Sequence, residues 1–157
     1  MKLNRKTRRP TSQTGMTLLE LIISCSILLI LSSAALPVAR YSIVRQREAE
    51  LHRDLREMRG AIDRYKDLAD RNLIRVEVGS EGYPPDLETL VNGVDVQGKK
   101  VRFLRHIPID PMTNKAEWGL RSMQDDPTSD SYGGQSVFDV YSKSQGTALD
   151  GTKYSTW

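Results

Sequence analysis

The chain has 157 residues, of which 27% are charged, with 23 Lys and Arg against 20 Asp and Glu. From this length we expect one small globular domain beside a membrane helix. Five basic residues and no acidic one precede Met16, so residues 16–157 have 18 basic against 20 acidic residues and a formal net charge of −2. The basic balance of the whole chain is therefore no argument for nucleic-acid binding.

Residues 1–15 are polar and basic, and Pro10 and Gly15 disfavour a helix there. We interpret them as a leader that is absent from the working protein. The tendency of positive charge to remain inside places this leader in the cytoplasm. Its charges come from Lys2, Arg5, Lys6, Arg8 and Arg9.

An apolar run of 19 residues without a charge extends from Leu21 to Ala39. A helix rises about 1.5 Å per residue, so such a run can cross a hydrocarbon core of about 30 Å. We therefore predict a membrane-spanning helix over residues 16–39, bent near its outer end by Pro37, which lacks a backbone donor.

Glu20 stands at the start of this apolar helix. A carboxylate within a membrane helix costs about 2.5–3.5 kcal/mol on insertion scales, so it needs a partner. A cut between Gly15 and Met16 would remove the basic residues and leave a new α-amino group on Met16. That amine could pair with Glu20 of a neighbouring subunit, and this pairing would favour assembly.

Residues 40–74 are predicted to continue as an amphipathic helix outside the membrane. Apolar residues recur at helical spacing with one gap, at Glu48. The other face is charged, and it predicts ion pairs between Arg59 and Asp63 and between Asp67 and Arg71. We interpret the second half of the stripe as the spine of the protein's own domain and the first half as a contact with neighbouring subunits. The stripe consists of Tyr41, Val44, Leu51, Leu55, Met58, Ile62, Tyr65 and Ala69.

Residues 75–157 are predicted to form a small globular domain. A brief helix is predicted to begin with Pro85 at its first helical position and to end near Gly93. Residues 94–117 hold a basic cluster and then the segment Ile107-Pro108-Ile109-Asp110-Pro111, whose two prolines predict an ordered loop. Strands over 118–123 and 137–141 flank a surface loop over 125–135. The polar tail ends in Tyr154 and Trp157, which indicates that it is docked. The basic cluster consists of Lys99, Lys100, Arg102 and Arg105.

Gly15, Met16, Thr17 and Glu20, followed by an apolar helix that contains Pro37, resemble the class III leader and N-terminal helix of type IV pilins and of type II secretion pseudopilins. The resemblance implies that prepilin peptidase removes the leader at Gly15 and Met16 and that the new N-terminus is methylated. It also implies that subunits polymerise through Glu20, Thr17 and Pro37.

The globular part is similar to the major pseudopilins of type II secretion, through Tyr83-Pro84, Ile107-Pro108-Ile109-Asp110-Pro111 running into Trp118, and Asp139-Val140-Tyr141-Ser142. This resemblance implies an α+β fold of type IV pilin-like architecture, with a long N-terminal membrane-spanning helix packed on a small antiparallel sheet. It implies a structural subunit of a periplasmic filament, anchored once in a bacterial inner membrane. The implied partners are the membrane, other copies of the chain, prepilin peptidase, an inner-membrane assembly platform and minor pseudopilins.

The resemblance also implies a calcium site in the last loop, where Asp150 occupies the position of one aspartate. The second expected acid is missing, because Ser144, Gln145 and Gly146 fill its place. One carboxylate with carbonyl oxygens makes a poor calcium site, so a turn held by Asp150 hydrogen bonds stands beside calcium as an alternative.

Three other functions stay open. A type IV pilin for adhesion, motility or DNA uptake is the nearest, although a single cysteine, Cys25, permits no internal disulfide. A conventional signal cleaved near residues 33–35 would release a binding domain. An anchored enzyme comes last, since the chain has no phosphate loop or nucleophile elbow and His52 and His106 are expected at the surface.

Overall fold

The structure is a computed structural model that describes residues 15–126, 129 and 131–157, with the backbone alone for residues 34–39. Apart from Gly15, the predicted leader lies outside the described residues, as do positions 127, 128 and 130 of the predicted surface loop and the side chain of Pro37. The chain divides into two compact units, an N-terminal unit of residues 1–41 and a C-terminal unit of residues 42–157.

Helix α1 spans Leu18–Asp70 and confirms the predicted long helix. It ends in a Schellman motif, in which Leu73 N donates to Leu68 O (3.0 Å) and Asn72 N donates to Ala69 O (2.9 Å). Asn72 adopts the left-handed conformation that this ending requires, with φ of 56°. Within the described part of the chain, no helix combines the length and the apolar character needed to cross a membrane.

The core of the C-terminal unit is built on one face of α1. The apolar stripe from Leu51 to Ala69 is buried there, which confirms its interpretation as the spine of the protein's own domain. The described residues packed with it from the remainder of the unit include Ile74, Leu87, Leu90, Phe103, Leu104, Trp118, Val137, Val140, Ala148 and Tyr154.

Helix α2 spans Leu87–Asn92. Asp86 is its N-cap, and its Oδ1 accepts from Thr89 N (2.6 Å) and Thr89 Oγ1 (2.7 Å). The predicted helix is therefore correct, but Pro85 precedes the cap and does not occupy the first helical position. Gly93 ends the helix at φ of 78°, where a Cβ would lie 2.4 Å from Val101 O.

Residues 94–101 form a hairpin that the sequence did not lead us to predict, and its second strand contains Lys99 and Lys100 of the basic cluster. Strand β1, Val94–Val96, pairs antiparallel with strand β2, Lys99–Val101. The two residues between them, Gln97 and Gly98, both have positive φ, at 54° and 84°. This combination is typical of a type I′ turn, whose twist matches that of the two strands.

A second antiparallel pair consists of β3, Trp118–Arg121, and β4, Asp139–Ser142. The two predicted strands are thus present, at shorter or shifted bounds. Asp125 holds the start of the connecting loop, because its Oδ2 accepts from Ser122 N (2.8 Å) and Gly133 N (3.1 Å). These hydrogen bonds hold the pKa of Asp125 below its usual range.

The tail ends in a short 3-10 helix, Tyr154–Thr156, whose Tyr154 is buried in the core. The tail is therefore docked, as predicted. Among the described residues, the long N-terminal helix and two small antiparallel sheets, each of two strands, confirm the predicted α+β fold.

Candidate functional site

The start of α1 is capped by Thr17. Glu20 N donates to Thr17 Oγ1 (3.3 Å), and Leu21 N donates to Thr17 O (3.1 Å). A Thr followed three residues later by a Glu is the capping-box sequence of a helix N-terminus. Thr17, for which we predicted a role in assembly, thus also caps the helix, and the Thr-x-x-Glu spacing is the sequence signal for this cap.

Glu20 presents an exposed carboxylate in the first turn of α1, where the helix dipole favours a negative charge. Among the described residues, no cation forms an ion pair with it. Apolar side chains surround it and are exposed on every side of the helix. They are Met16, Leu18, Leu19, Leu21, Ile22, Ile23, Ile27, Leu28, Leu29, Ile30 and Leu31.

The serines of this apolar helix bond to its own backbone. Ser24 Oγ donates to Glu20 O (2.8 Å), Ser26 Oγ donates to Ile22 O (2.8 Å) and Ser33 Oγ donates to Ile30 O (2.7 Å). Their hydroxyl donors are satisfied without water, so they fit an apolar surrounding and leave small surfaces at which another helix can approach closely.

Gly15 and Met16 precede the helix. A Cβ placed on Gly15 would meet no described atom within 4 Å, so packing gives no reason for glycine there. The side chain of Met16 is exposed. The assignment of both residues to processing stays a prediction, as do the roles of Glu20, Thr17 and Pro37 in assembly.

Comparison with known proteins matches this region to one family model. The family described as prokaryotic N-terminal methylation motif matches residues 10–36, a range that includes Gly15, Met16, Thr17 and Glu20. The chain carries the prepilin-type methylation motif. Searches of curated proteins and of solved structures found no match to the chain.

The motif indicates a type IV pilin-like filament subunit, processed by prepilin peptidase, whose N-terminus is anchored in a membrane before processing. Pilin-like structural proteins are in general not enzymes. The match ends at residue 36, so it leaves the C-terminal unit uncovered and does not separate secretion pseudopilins from pilus subunits.

The second candidate site, Asp150, lies in an exposed turn. Its Oδ1 accepts from Thr152 Oγ1 (2.6 Å) and from Thr152 N (2.8 Å). These two hydrogen bonds, the hydroxyl bond foremost, hold the pKa of the Asp150 carboxyl below its usual range. Trp157 Nε1 in turn donates to Thr152 Oγ1 (2.7 Å). Asp150 therefore has the turn geometry that the sequence analysis gave as the alternative to calcium.

Calcium binding needs several oxygen ligands, with carboxylates among them. Among the residues that the structure describes, no three His, Cys, Asp or Glu side chains lie together so that they could hold a metal ion. Asp150 supplies one carboxylate where the implied site has two, because Ser144, Gln145 and Gly146 replace the second acid. The donors around Asp150 therefore do not fit the implied site, and we derive no role of this turn through calcium. Calcium at Asp150 stays a prediction, which metal analysis of the purified protein would test.

Two further residues of α1 contact the C-terminal part of the chain and were missed as sites by the sequence analysis. Glu48 Oε1 accepts from Leu149 N (2.8 Å) and Tyr154 Oη (3.1 Å). Arg59 Nε donates to Asp139 Oδ1 (2.6 Å). The predicted ion pair between Arg59 and Asp63 is therefore wrong, because Arg59 bonds across to β4, whereas the pair of Asp67 and Arg71 is present at 2.9 Å.

Proposed function

We propose that the chain is the major subunit of a periplasmic pseudopilus that drives protein export by type II secretion. The observation that supports a filament subunit is the methylation motif over residues 10–36, which contains Gly15, Met16 and Glu20. The choice of secretion rests on the resemblance of the C-terminal unit to major pseudopilins. Prepilin peptidase would cut between Gly15 and Met16 on the cytoplasmic side, and the new N-terminus would be methylated.

The exposed apolar surface of α1 supports a subunit that lies first in a membrane and later in a filament. A helix that is hydrophobic on all sides needs cover, either from lipid or from other helices. Before assembly, a bacterial inner membrane would provide that cover to a single-pass subunit whose C-terminal unit lies in the periplasm. After assembly, the helices of neighbouring subunits would replace the lipid.

Glu20 gives this transfer its specificity. In an apolar surrounding an unpaired carboxylate is costly, and the α-amino group of Met16 on a neighbouring copy would neutralise it. The pair can form only when adjacent subunits are staggered along the filament axis, so one charge pair would set both recruitment and register.

Secretion is favoured over a pilus by the C-terminal unit. The segments that resemble major pseudopilins include Trp118 and the strand Asp139–Ser142, which lie in its core and its sheet. The chain has one cysteine, Cys25, so it cannot close its C-terminal region with a disulfide as many pilins do. An inner-membrane assembly platform and minor pseudopilins would be the partners of assembly, and we propose neither an enzymatic activity nor nucleic-acid binding.

The test combines the mass of the N-terminus with filament assembly in the native membrane. We expect the wild-type protein to begin at Met16 with one added methyl group. Glu20→Ala and Glu20→Gln should show the same insertion and cleavage but form no filaments, whereas Glu20→Asp should retain part of the assembly. Ser24→Ala, one turn further along α1, is the matched control and should assemble normally.

Normal filaments from Glu20→Gln would contradict the charge pairing and leave the processing intact. A start after residue 34 or 35 would contradict the whole proposal, because the helix that forms the filament would then be removed. Filaments that extend beyond the cell and an unchanged export of proteins on deletion would assign the chain to a pilus.

A further inference from the structure

Residues 146–157, which we call the C-terminal segment, form a closed loop with their own hydrogen bonds. Ala148 N donates to Thr152 O (2.8 Å) and Tyr154 N donates to Gly146 O (3.3 Å), so the two arms run antiparallel. The turn at Asp150 forms the tip. Ala148 and Tyr154 are buried, which gives the loop an inner side that packs on the core.

Glu48 joins both arms of this loop to α1. One of its oxygens accepts from Leu149 N in the first arm and from Tyr154 Oη in the second. Burial and the hydrogen bond to Glu48 raise the pKa of the Tyr154 hydroxyl, so it stays a donor over the physiological range. A single carboxylate thus bridges residues more than 100 positions away in the sequence.

A second attachment lies one helical turn beyond Glu48. The ring of His52 stacks on the indole of Trp157, with 4.0 Å between the centroids and 8° between the planes. Residues four apart share a helix face, so Glu48 and His52 present one surface to the loop.

Hydrogen bonds connect Trp157 to Asp150 at the tip of the loop. Trp157 Nε1 donates to Thr152 Oγ1, which donates its own proton to Asp150 Oδ1. The carboxylate that a bound cation would need is therefore already an acceptor inside the loop.

We propose that Glu48 fastens the C-terminal segment to α1 without a metal ion. The resemblance to pseudopilins implies a cation at this loop, and the ligand set does not fit one. Glu48 supplies a link between the loop and α1 that consists of protein groups alone. This inference concerns how the C-terminal unit is held together, so it stands or falls independently of filament assembly.

Hydrogen exchange on the full-length chain in detergent tests the proposal, with the peptides that cover residues 147–154 as the readout. In the wild type we expect exchange there to change less than twofold between excess EDTA and millimolar calcium. Glu48→Ala should raise exchange in these peptides about tenfold or more, because two hydrogen bonds are lost. Glu48→Gln keeps an acceptor oxygen and should fall between the two.

Glu57→Ala is the matched control, because Glu57 is an exposed acid of the same helix. It should leave exchange over 147–154 unchanged. If EDTA raises the exchange of the wild type, or calcium lowers it, a metal holds the loop and the proposal is wrong. If Glu48→Ala behaves like Glu57→Ala, Glu48 does not fasten the loop.

If Glu48→Ala raises exchange throughout the chain, Tyr154→Phe distinguishes a local effect from a global one. This variant removes only the hydrogen bond from the Tyr154 hydroxyl to Glu48. A local increase over 147–154 in that variant supports the fastening by Glu48. The absence of any increase contradicts it.

Discussion

Asp54 is a carboxylate on α1 that lies between the core residues Leu51 and Leu55 with 5% of its surface exposed. Its hydrogen bonds from the neighbouring Arg53 are long, at 3.3 and 3.4 Å. Burial dominates over this pairing and raises the pKa of Asp54 above its usual value. The ionised form of Asp54 is therefore less stable in the folded chain than in the unfolded chain.

We predict that Asp54→Asn stabilises the C-terminal unit at pH 7. A raised folded-state pKa means that the protonated carboxyl favours folding, so its contribution is full below the unfolded pKa and is lost as the pH rises through the folded pKa. The amide mimics the protonated form, and we expect a gain of about 0.5–1 kcal/mol at pH 7.

Denaturant unfolding of both proteins from pH 3 to pH 7 checks this prediction. The difference in free energy of unfolding between variant and wild type should vanish at the acid end. Asp63→Asn, at an exposed site of the same helix, is the control and should show no such trend. A less stable Asp54→Asn at pH 7 would show that the ion pair with Arg53 outweighs the burial of the carboxylate.

Among the described strands, those of the hairpin of β1 and β2 were not predicted from the sequence. Each strand has three residues, and β2 contains Lys99 and Lys100 of the basic cluster. Because lysine is uncommon in strands, the composition of β2 does not indicate a strand. The signal was present in Val94 and Val96, which alternate with Asp95 ahead of Gly98. By contrast, the part of α1 from Leu51 to Ala69 follows from its apolar stripe, whose helical spacing matches the face buried in the core.

Gly98 in the hairpin and Gly60 in α1 differ in the backbone conformation that each position requires. A Cβ at Gly98 or at Gly60 would meet no atom within 4 Å, so sterics beyond the local backbone are the same. Gly98 has φ of 84°, which an alanine adopts at a cost of about 1–2 kcal/mol. Gly60 lies inside α1, where alanine is favoured by about 0.5–1 kcal/mol.

We therefore predict that Gly98→Ala lowers the thermal midpoint of unfolding by several degrees and that Gly60→Ala raises it by a few. Calorimetry of the two variants beside the wild type measures both signs in one experiment. The same sign for both substitutions would mean that the Gln97-Gly98 turn is not of type I′ or that Gly60 is covered by a neighbour.

At the scale of the whole molecule, the sequence predicts which elements exist better than which residues join them. The apolar stripe of α1 has one gap, at Glu48, and the structure shows that this residue contacts the segment of residues 146–157. A gap in a buried stripe marks a polar contact but does not name its partner, because the partner is set by how the chain closes on itself. The methylation motif is local in sequence, which is why it could be found without the fold.

Arg59 shows the same limit more strongly and connects three parts of the C-terminal unit. Its guanidinium bonds to Asp139 Oδ1 (2.6 Å) and Oδ2 (3.3 Å), to Val140 O (3.1 Å) and to the main-chain oxygen of Trp157 (2.9 Å). The helical spacing predicted Asp63 as its partner. A fork of charged donors that reaches a strand carboxylate and two main-chain oxygens is worth more than one exposed ion pair.

We predict that Arg59→Ala lowers the free energy of unfolding by about 1–3 kcal/mol, since Asp139 then keeps, among the described cations, only the more distant Arg121, at 3.8 Å. Arg59→Lys should recover less than half of that loss, because an ammonium group cannot bond to the strand and the tail at the same time. Arg56→Ala, at an exposed position on the same helix, should stay within about 0.5 kcal/mol of the wild type.

Denaturant unfolding followed by tryptophan fluorescence measures this effect, because Trp157 should become exposed in Arg59→Ala at lower denaturant than the buried Trp118. A single coincident transition with an unchanged midpoint would show that Arg59 does not join the tail to α1.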